Sequence, residues 1–164
     1  MLADADTLFT AYRDGVFRYL CRIVSHEDAR ELTQEVFLRV ARSAAPGNGE
    51  GPRRAWVFQI ARNLALNHVR DAKRRGVVDV ATNPSTPATQ PLAAAIGEAL
   101  ERLAPADRDV FLMREAGGLS YAEIAVACRL TPDGVRSRLH RVRQQLRAVL
   151  GPGPESGGVY GGDK

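Results

Sequence analysis

The sequence predicts an all-α protein made of two small helical domains joined by a flexible linker. Apolar residues recur at helical spacing through most of the chain, and no segment alternates convincingly between apolar and polar residues as a strand would. A segment rich in proline and threonine, residues 76–92, interrupts the helical patterns. A helix-turn-helix pattern follows it at residues 118–146.

The first domain is predicted to begin with two amphipathic helices. The apolar residues of the first are Leu8, Phe9, Tyr12, Val16, Phe17, Leu20, Ile23 and Val24. The second, residues 28–42, has a core stripe of Ala29, Leu32, Val36 and Val40. Phe37 and Leu38 fall outside this stripe, and Leu38 lies beside Glu31 and Gln34 on the far face. Large apolar side chains among charged ones indicate a protein-binding surface, unless another helix covers them.

A third helix is predicted at residues 55–75, with Trp56 near its start. Its polar face bears amides and cations, namely Gln59, Arg62, Asn63, Asn67, Arg70, Lys73 and Arg74. Cations bind phosphate, asparagine binds base edges, and an aromatic ring stacks on an unpaired base, so this face suits a nucleic acid with exposed bases. Trp56 could instead belong to the core, His68 is predicted to be a core histidine, and the terminal cations could complement the helix dipole.

The second domain is predicted to hold two helices, roughly residues 92–103 and 106–115, and then the helix-turn-helix. Ser120 and Glu123 form a capping box that starts one helix. Thr131 and Pro132 suit the cap and first turn of the next helix, which begins only a few residues later. The glycine-rich tail, residues 151–164, is predicted to be disordered.

The last helix is predicted to have an apolar stripe and an opposite polar face. The stripe is Val135, Leu139, Val142 and Leu146, and the opposite face bears Asp133, Arg136, Ser137, His140, Arg141 and Gln144. These polar groups bind phosphates and base edges. The alternative is a solvated basic helix. Such a helix would mix charges along its length, whereas this one has no acid after Asp133 to pair with.

Charge is distributed unevenly and favours a polyanionic partner. Residues 51–80 contain seven basic and two acidic side chains, and residues 120–150 contain six and two. These two basic segments are separated by a net acidic stretch, which suggests two contacts on one long polyanion.

Other features of the composition narrow the class of protein. No apolar run approaches the roughly 18 residues of a membrane span, and the acidic start is unlike a signal peptide. Cys21 and Cys128 are predicted to be buried free thiols of a cytoplasmic protein. Three scattered histidines do not make a zinc site, so no metal or cofactor is expected. The acids are too dispersed for a metal-dependent nuclease or polymerase, so no enzymatic activity is expected.

Three segments resemble a known family when taken in order: DARELTQEVFLRVAR, AWVFQIARNLALNHVRDAKRR and LSYAEIAVACRLTPDGVRSRLHRVRQQL. They are similar to the small bacterial sigma factors of the sigma-70 family, the extracytoplasmic-function group. The resemblance covers about residues 7–150. It implies a region 2 domain at residues 7–75, a linker at 76–92, a region 4 domain at 93–150 and a tail at 151–164.

The resemblance also implies a function and the surfaces that perform it. The protein would be a reversible subunit of RNA polymerase that directs the core enzyme to promoters. The second helix would bind the β and β′ subunits of the core through Asp28, Glu31, Leu32, Gln34, Glu35, Phe37 and Leu38. The third helix would open and read the minus-ten element through Trp56, Gln59, Arg62, Asn63, Asn67, Arg70, Lys73 and Arg74, with the loop at residues 43–54 holding an extruded base.

The helix-turn-helix, residues 120–143, would read the minus-thirty-five element. The residues implied are Ser120, Tyr121, Thr131, Asp133, Arg136, Ser137, Arg138, His140, Arg141 and Arg143. Where the family often has a glycine in the turn, this chain has Cys128-Arg129, so Arg129 is expected to adopt a left-handed conformation. Sigma factors of this size are often held inactive by an anti-sigma protein, which is a further implied partner.

One alternative function is a helix-turn-helix regulator that acts without polymerase. It would leave the apolar outer surface around Leu38 unexplained, and it should footprint duplex DNA alone.

Overall fold

A computed structural model of the chain describes residues 2–45, 49–76 and 90–151. Within them the structure has seven helices and no strand, as the all-α prediction requires. They are α1 (Leu2–Cys21), α2 (His26–Arg42), α3 (Glu50–Arg74), α4 (Gln90–Glu101), α5 (Pro105–Glu115), α6 (Tyr121–Cys128) and α7 (Pro132–Leu150). Most of the predicted linker and the predicted disordered tail beyond Gly151 lie outside the described residues.

Helix α3 begins at Glu50, whereas the sequence predicted a start at residue 55. The run of turn-forming residues before it hid this start. Pro52 lies in the first turn, where a missing N–H removes no helical hydrogen bond, so proline is tolerated there. The predicted loop at residues 43–54 is correspondingly shorter, and its residues 46–48 lie outside the described part of the chain.

The second helix buries most of the predicted stripe and two further residues, Thr33 and Phe37. Its buried residues are Ala29, Thr33, Val36, Phe37 and Val40, while Leu32 is only half-buried. Phe37 is 8% exposed and meets the ring of Phe9 on α1 edge to face, with centroids 5.0 Å apart. For Phe37 the structure therefore confirms the alternative that another helix covers it, because α1 packs against that side of α2.

The two halves of the chain pack against each other through α1 and α3 on one side and α5 and α6 on the other. Tyr19 and Phe58 of the first half are fully buried in one hydrophobic cluster with Met113, Leu119 and Ile124 of the second. The approach is close at Gly117: a Cβ there would lie 2.7 Å from both the Met113 carbonyl oxygen and Phe58 Cε1. Glycine at this position lets the chain after α5 reach α3.

The two cysteines are free thiols, but they are half-buried rather than buried. Cys128 ends α6 near the contact between the halves, with its Sγ 3.5 Å from Met113 Sδ. Burial, and then the negative charge of Asp109, raises the pKa of the Cys128 thiol to about 12. Burial also raises the pKa of Cys21.

Candidate nucleic-acid interface

The helix-turn-helix is held by the local contacts that the sequence predicted. Ser120 Oγ accepts from the Glu123 N–H at 3.2 Å, and the Glu123 carboxylate accepts from the Ser120 N–H at 2.7 Å. Thr131 Oγ accepts from the Gly134 N–H at 3.0 Å, with Pro132 in the first turn of α7. These bonds satisfy helix-start donors that would otherwise lack partners.

The turn between α6 and α7 is left-handed at Arg129, where φ is 56° and ψ is 48°. This matches the expectation for a position where glycine is common. The conformation lets the Leu130 N–H donate to the Ala125 carbonyl at 2.8 Å, which closes the end of α6.

Helix α7 presents a polar outer surface because most of its apolar stripe is buried against the rest of the chain. Val135, Leu139 and Val142 have no exposed surface, and Leu146 is half-buried. Arg136, Ser137, His140 and Arg141 are exposed on the other side, together with Asp133. Arg138 and Arg143 are half-buried on the flanks. The surface therefore combines groups that can bind base edges with groups that can bind phosphate.

Acids from α5 pair with arginines of α7, which the sequence argument missed because it considered acids of α7 alone. Asp107 Oδ1 lies 2.8 Å from Arg138 Nη1, and Asp107 Oδ2 lies 3.2 Å from Arg141 Nε. Glu115 lies 3.8 Å from Arg143, whose Nη1 also donates to Tyr121 Oη at 3.5 Å. Only spatial proximity reveals these pairs, since α5 and α7 are far apart in sequence.

The polar face of α3 is divided between solvent and the other half of the chain. Its exposed residues are Asn63, Asn67, Arg70, Lys73 and Arg74, while Trp56 and Gln59 are half-buried. Arg62 instead turns toward α5, where its Nε donates to Asp109. The C-terminal part of the predicted face is thus open to a ligand, and the N-terminal part packs against protein.

Asp109 is the centre of the polar contact between the halves. Its carboxylate accepts from Tyr19 Oη on α1 and from Arg62 on α3, and Cys128 Sγ lies 4.0 Å away. Burial, and then the neighbouring Asp109 charge, raises the pKa of the Tyr19 hydroxyl, so this group remains a donor. Nearby, Arg54 Nε lies 3.4 Å from the Glu123 carboxylate, and Arg18 Nε donates to the Ala116 carbonyl at 3.2 Å.

The outer face of α2, defined here as Glu31, Gln34 and Leu38, is exposed. Leu38 is 48% exposed between polar side chains, and it is one of five large apolar side chains that are exposed among the described residues. Beside this face, Glu35 forms an ion pair with Arg39 at 2.9 Å, and Asp28 lies 3.1 Å from His68 Nε2 of α3. Leucine exposed in this setting is a candidate contact for another protein.

Two other kinds of site are absent from the described residues. No helix among them combines the length and apolarity needed to cross a membrane. No group of three or more His, Cys, Asp or Glu side chains in those ranges could hold a metal ion.

A helix-turn-helix with a cationic outer surface, packed on a three-helix half with a second cationic face, defines a DNA-binding protein with two candidate contact surfaces. Family models agree on both halves. Residues 8–75 match sigma-70 region 2, and residues 93–146 match sigma-70 region 4.

Curated relatives place the chain more narrowly. It is 37% identical over 163 residues to the ECF RNA polymerase sigma factor SigE of Mycolicibacterium smegmatis, covering 88% of this chain and 61% of that protein. It is 30% identical over 154 residues to the ECF RNA polymerase sigma factor SigL of Mycobacterium tuberculosis, covering 87% and 86%. The chain therefore spans less than two thirds of the length of the first relative.

A solved structure shares the fold. The sigma factor RpoE of Bartonella quintana, crystallised with the anti-sigma factor NepR, matches with a TM-score of 0.69 and 23% identity, covering 90% of this chain and 96% of that one. The chain belongs to the sigma-70 family of RNA polymerase sigma factors, in the extracytoplasmic-function group. Members of this family are transcription initiation factors.

Proposed function

We propose that this chain directs core RNA polymerase to promoters by reading two DNA elements through residues 7–75 and 93–150. The observation that carries the proposal is the outer surface of α7. Val135, Leu139 and Val142 of its apolar side are fully buried while arginine, serine and histidine side chains face solvent, so the helix is free to enter a major groove. The protein itself needs no catalytic group, since the polymerase supplies the chemistry.

On α7 the exposed residues have different roles from the half-buried ones. Arg136, Ser137, His140 and Arg141 lie opposite the apolar stripe and give sequence preference at the minus-thirty-five element. Arg138 and Arg143 lie on the flanks and hold phosphate. Ser120, Tyr121 and Thr131 support the helix-turn-helix, because the two hydroxyls accept cap bonds and the Tyr121 ring lies under Arg114.

On α3 the exposed amides bind the unpaired non-template strand of the minus-ten element. Asn63 and Asn67 can bond to base edges only when those edges are accessible. The exposed cations that follow along the same helix bind the phosphate backbone of that strand, namely Arg70, Lys73 and Arg74. Arg62 joins this face only after it leaves Asp109. The shortened loop before α3 remains the candidate holder of an extruded base.

A pre-melted promoter separates base reading from strand opening. Asn63→Ala should lose activity on duplex templates and recover only partly on templates with a preformed bubble, as measured by transcription with core polymerase. Arg75→Ala, at the exposed end of α3, is the comparison for a residue without an assigned base contact. Complete recovery of Asn63→Ala on the bubble template would reassign Asn63 to opening.

The outer face of α2 contacts core polymerase. Glu31, Gln34 and Leu38 are exposed, and a partner that covers Leu38 would remove apolar surface from water. Phe37 does not take part directly, since it packs inside the chain against Phe9.

Co-purification with core polymerase tests this surface. The double variant Gln34→Lys with Leu38→Asp should lose the core enzyme while keeping wild-type helicity. Val149→Asp is the control matched to Leu38→Asp. Val149 is 51% exposed at the far end of α7, so this substitution adds the same charge at an exposed apolar position away from α2. Retention of core by the double variant would refute the assignment of the outer face of α2.

The proposed function implies a cellular location and an inhibitory partner. Because a protein that directs RNA polymerase to promoters acts where the polymerase and the DNA are, we propose that this chain acts in the cytoplasm. An anti-sigma protein is proposed as its inhibitory partner, supported by the fold shared with RpoE of Bartonella quintana, which was crystallised with NepR. To test this partner, the chain is used to capture proteins from a lysate that has been depleted of core polymerase. The captured protein should inhibit transcription by the chain with core polymerase, and its removal should restore transcription.

A further inference from the structure

Asp107 is a buried acid beside an exposed cationic surface. It is 4% exposed and lies in the first turn of α5, where the helix dipole favours a negative charge. Among the described residues Asp107 is the one carboxylate that is buried, and Thr33 is the other buried polar side chain. A buried charge must be compensated, so its partners show what it does.

Two arginines of α7 compensate this charge. Asp107 Oδ1 accepts from Arg138 Nη1 at 2.8 Å and from Arg141 Nη2 at 3.3 Å, while Oδ2 lies 3.2 Å from Arg141 Nε. Arg141 is thus held by two of its nitrogens and Arg138 by one. The arginines are three residues apart, so they lie on the same side of α7 and can share one carboxylate.

Both guanidinium groups still reach the surface. Arg141 is 55% exposed and Arg138 is 30% exposed in their side chains, whereas the Asp107 side chain is 6% exposed. A guanidinium has five N–H donors in a fixed planar arrangement, so the donors not used by Asp107 can meet DNA. An arginine held by a bidentate contact offers these donors in one geometry and loses less conformational entropy on binding.

We propose that Asp107 is a positioning residue for promoter recognition, which holds Arg138 and Arg141 in the geometry in which α7 meets the upstream element. This inference rests on the proposed function. Asp107 does not touch DNA, because it lies beneath the two arginines. Its effect is on sequence preference: without it, Arg141 keeps its charge and its attraction to phosphate, but its donors are no longer aimed at one base.

The test is transcription by holoenzyme, assembled from core polymerase and the full chain, on a library of one promoter with every upstream and downstream position varied singly. The promoter is first obtained from genomic DNA with the wild-type chain. Asp107→Asn should flatten the preference at one or two upstream positions by about tenfold, the scale of one good base contact. Preferences at downstream positions should not change, and they serve as an internal reference.

Preference ratios are independent of how much protein is folded, so a merely structural role would lower all promoters equally. Glu115→Gln is the matched control, since it removes an exposed α5 acid 3.8 Å from Arg143 with the same change in charge, and it should leave the profile within about twofold of wild type. If Asp107→Asn fails to fold, Asp107→Glu keeps the charge but displaces the carboxylate, and it should flatten the same upstream positions.

An unchanged upstream profile in a folded Asp107 variant would overturn the inference, as would equal flattening upstream and downstream. Failure of the wild-type chain to yield any promoter is a distinct result, because it contradicts the proposed function itself and removes the basis of this inference.

Discussion

Two carboxylates of α5, two residues apart, hold arginines of two different candidate DNA-binding helices. Asp107 pairs with Arg138 and Arg141 of α7, within the same half of the chain. Asp109 pairs with Arg62 of α3 and accepts from Tyr19 of α1, across the contact between the halves. The first contact supports a recognition helix. The Asp109 contact occupies Arg62, a residue that α3 needs for its proposed contact with the minus-ten element.

The difference separates contacts that persist from those that must break. The Asp107 network remains intact however the halves are arranged, since both helices belong to residues 93–150. The Asp109 contact holds Arg62 toward α5 rather than toward the exposed face of α3, so this contact must open if Arg62 is to turn fully toward DNA. The halves are thus expected to separate when α3 engages the minus-ten element.

The largest expected effect comes from overfilling the contact between the halves. Gly117→Ala places a Cβ 2.7 Å from the Met113 carbonyl oxygen and from Phe58 Cε1, so backbone and ring must both shift. We expect a loss of about 1–3 kcal/mol in the free energy of unfolding, measured by urea denaturation.

Gly97→Ala is the control for this prediction. It lies in α4 with nothing within 4 Å of the added Cβ, and it should stabilise the chain by up to about 1 kcal/mol because alanine favours helix. Equal stability of both variants would show that the halves do not meet at Gly117.

A smaller effect is expected from Asp109→Asn. The amide can still accept a hydrogen bond from Tyr19, but it no longer has a charge to pair with Arg62, so the loss of stability should be about 1 kcal/mol. Small-angle scattering should show a larger radius of gyration as the halves separate more often.

Asp133→Asn is the control, because it removes an exposed pair with Arg136 and should change stability by less than about 0.5 kcal/mol. A variant of Asp109 as compact and stable as wild type would contradict the role of this carboxylate.

At neutral pH the smallest effect is on cysteine chemistry and on stability, and this effect grows at alkaline pH. Because the pKa of Cys128 is raised to about 12 from 9.0, the folded chain keeps the thiol protonated, and this stabilisation is present below pH 9 and is lost as the pH rises from 9 toward 12. The raised pKa of Tyr19 acts in the same direction above pH 10. The melting temperature should therefore fall above pH 9, and Tyr19→Phe should weaken that fall.

Thiol labelling provides a second measurement of the same contact. At pH 8 Cys128 should react more slowly with a thiol reagent than an unperturbed cysteine. Asp109→Asn should accelerate labelling of Cys128 without changing Cys21, because burial and the Arg22 charge, and not Asp109, set the pKa of Cys21. Equal acceleration at both cysteines would indicate general unfolding instead.

Local sequence chemistry was sufficient for much of this structure. The Ser120 capping box and the Thr131 cap follow from side chains acting on their own backbone, whereas the left-handed Arg129 was expected from the resemblance to a family that often has glycine in this turn. The start of α3 was misjudged because Pro52 suits a turn as well as a first helical turn.

Features that depend on distant contacts could not be predicted from periodicity. Periodicity left open whether Phe37 is exposed or covered, because its cover, Phe9, lies on another helix. The acids that pair with α7, and the diversion of Arg62 to Asp109, likewise depend on how α5 packs. The roles of the individual DNA-facing residues remain predictions.

The most direct test of the account is transcription of genomic DNA by core polymerase with and without this chain. We expect the chain to produce a discrete set of start sites that share an upstream and a downstream element. The double variant Gln34→Lys with Leu38→Asp should lose every one of these sites. The account would be contradicted if the chain added no start sites to core polymerase yet protected specific duplex DNA by itself.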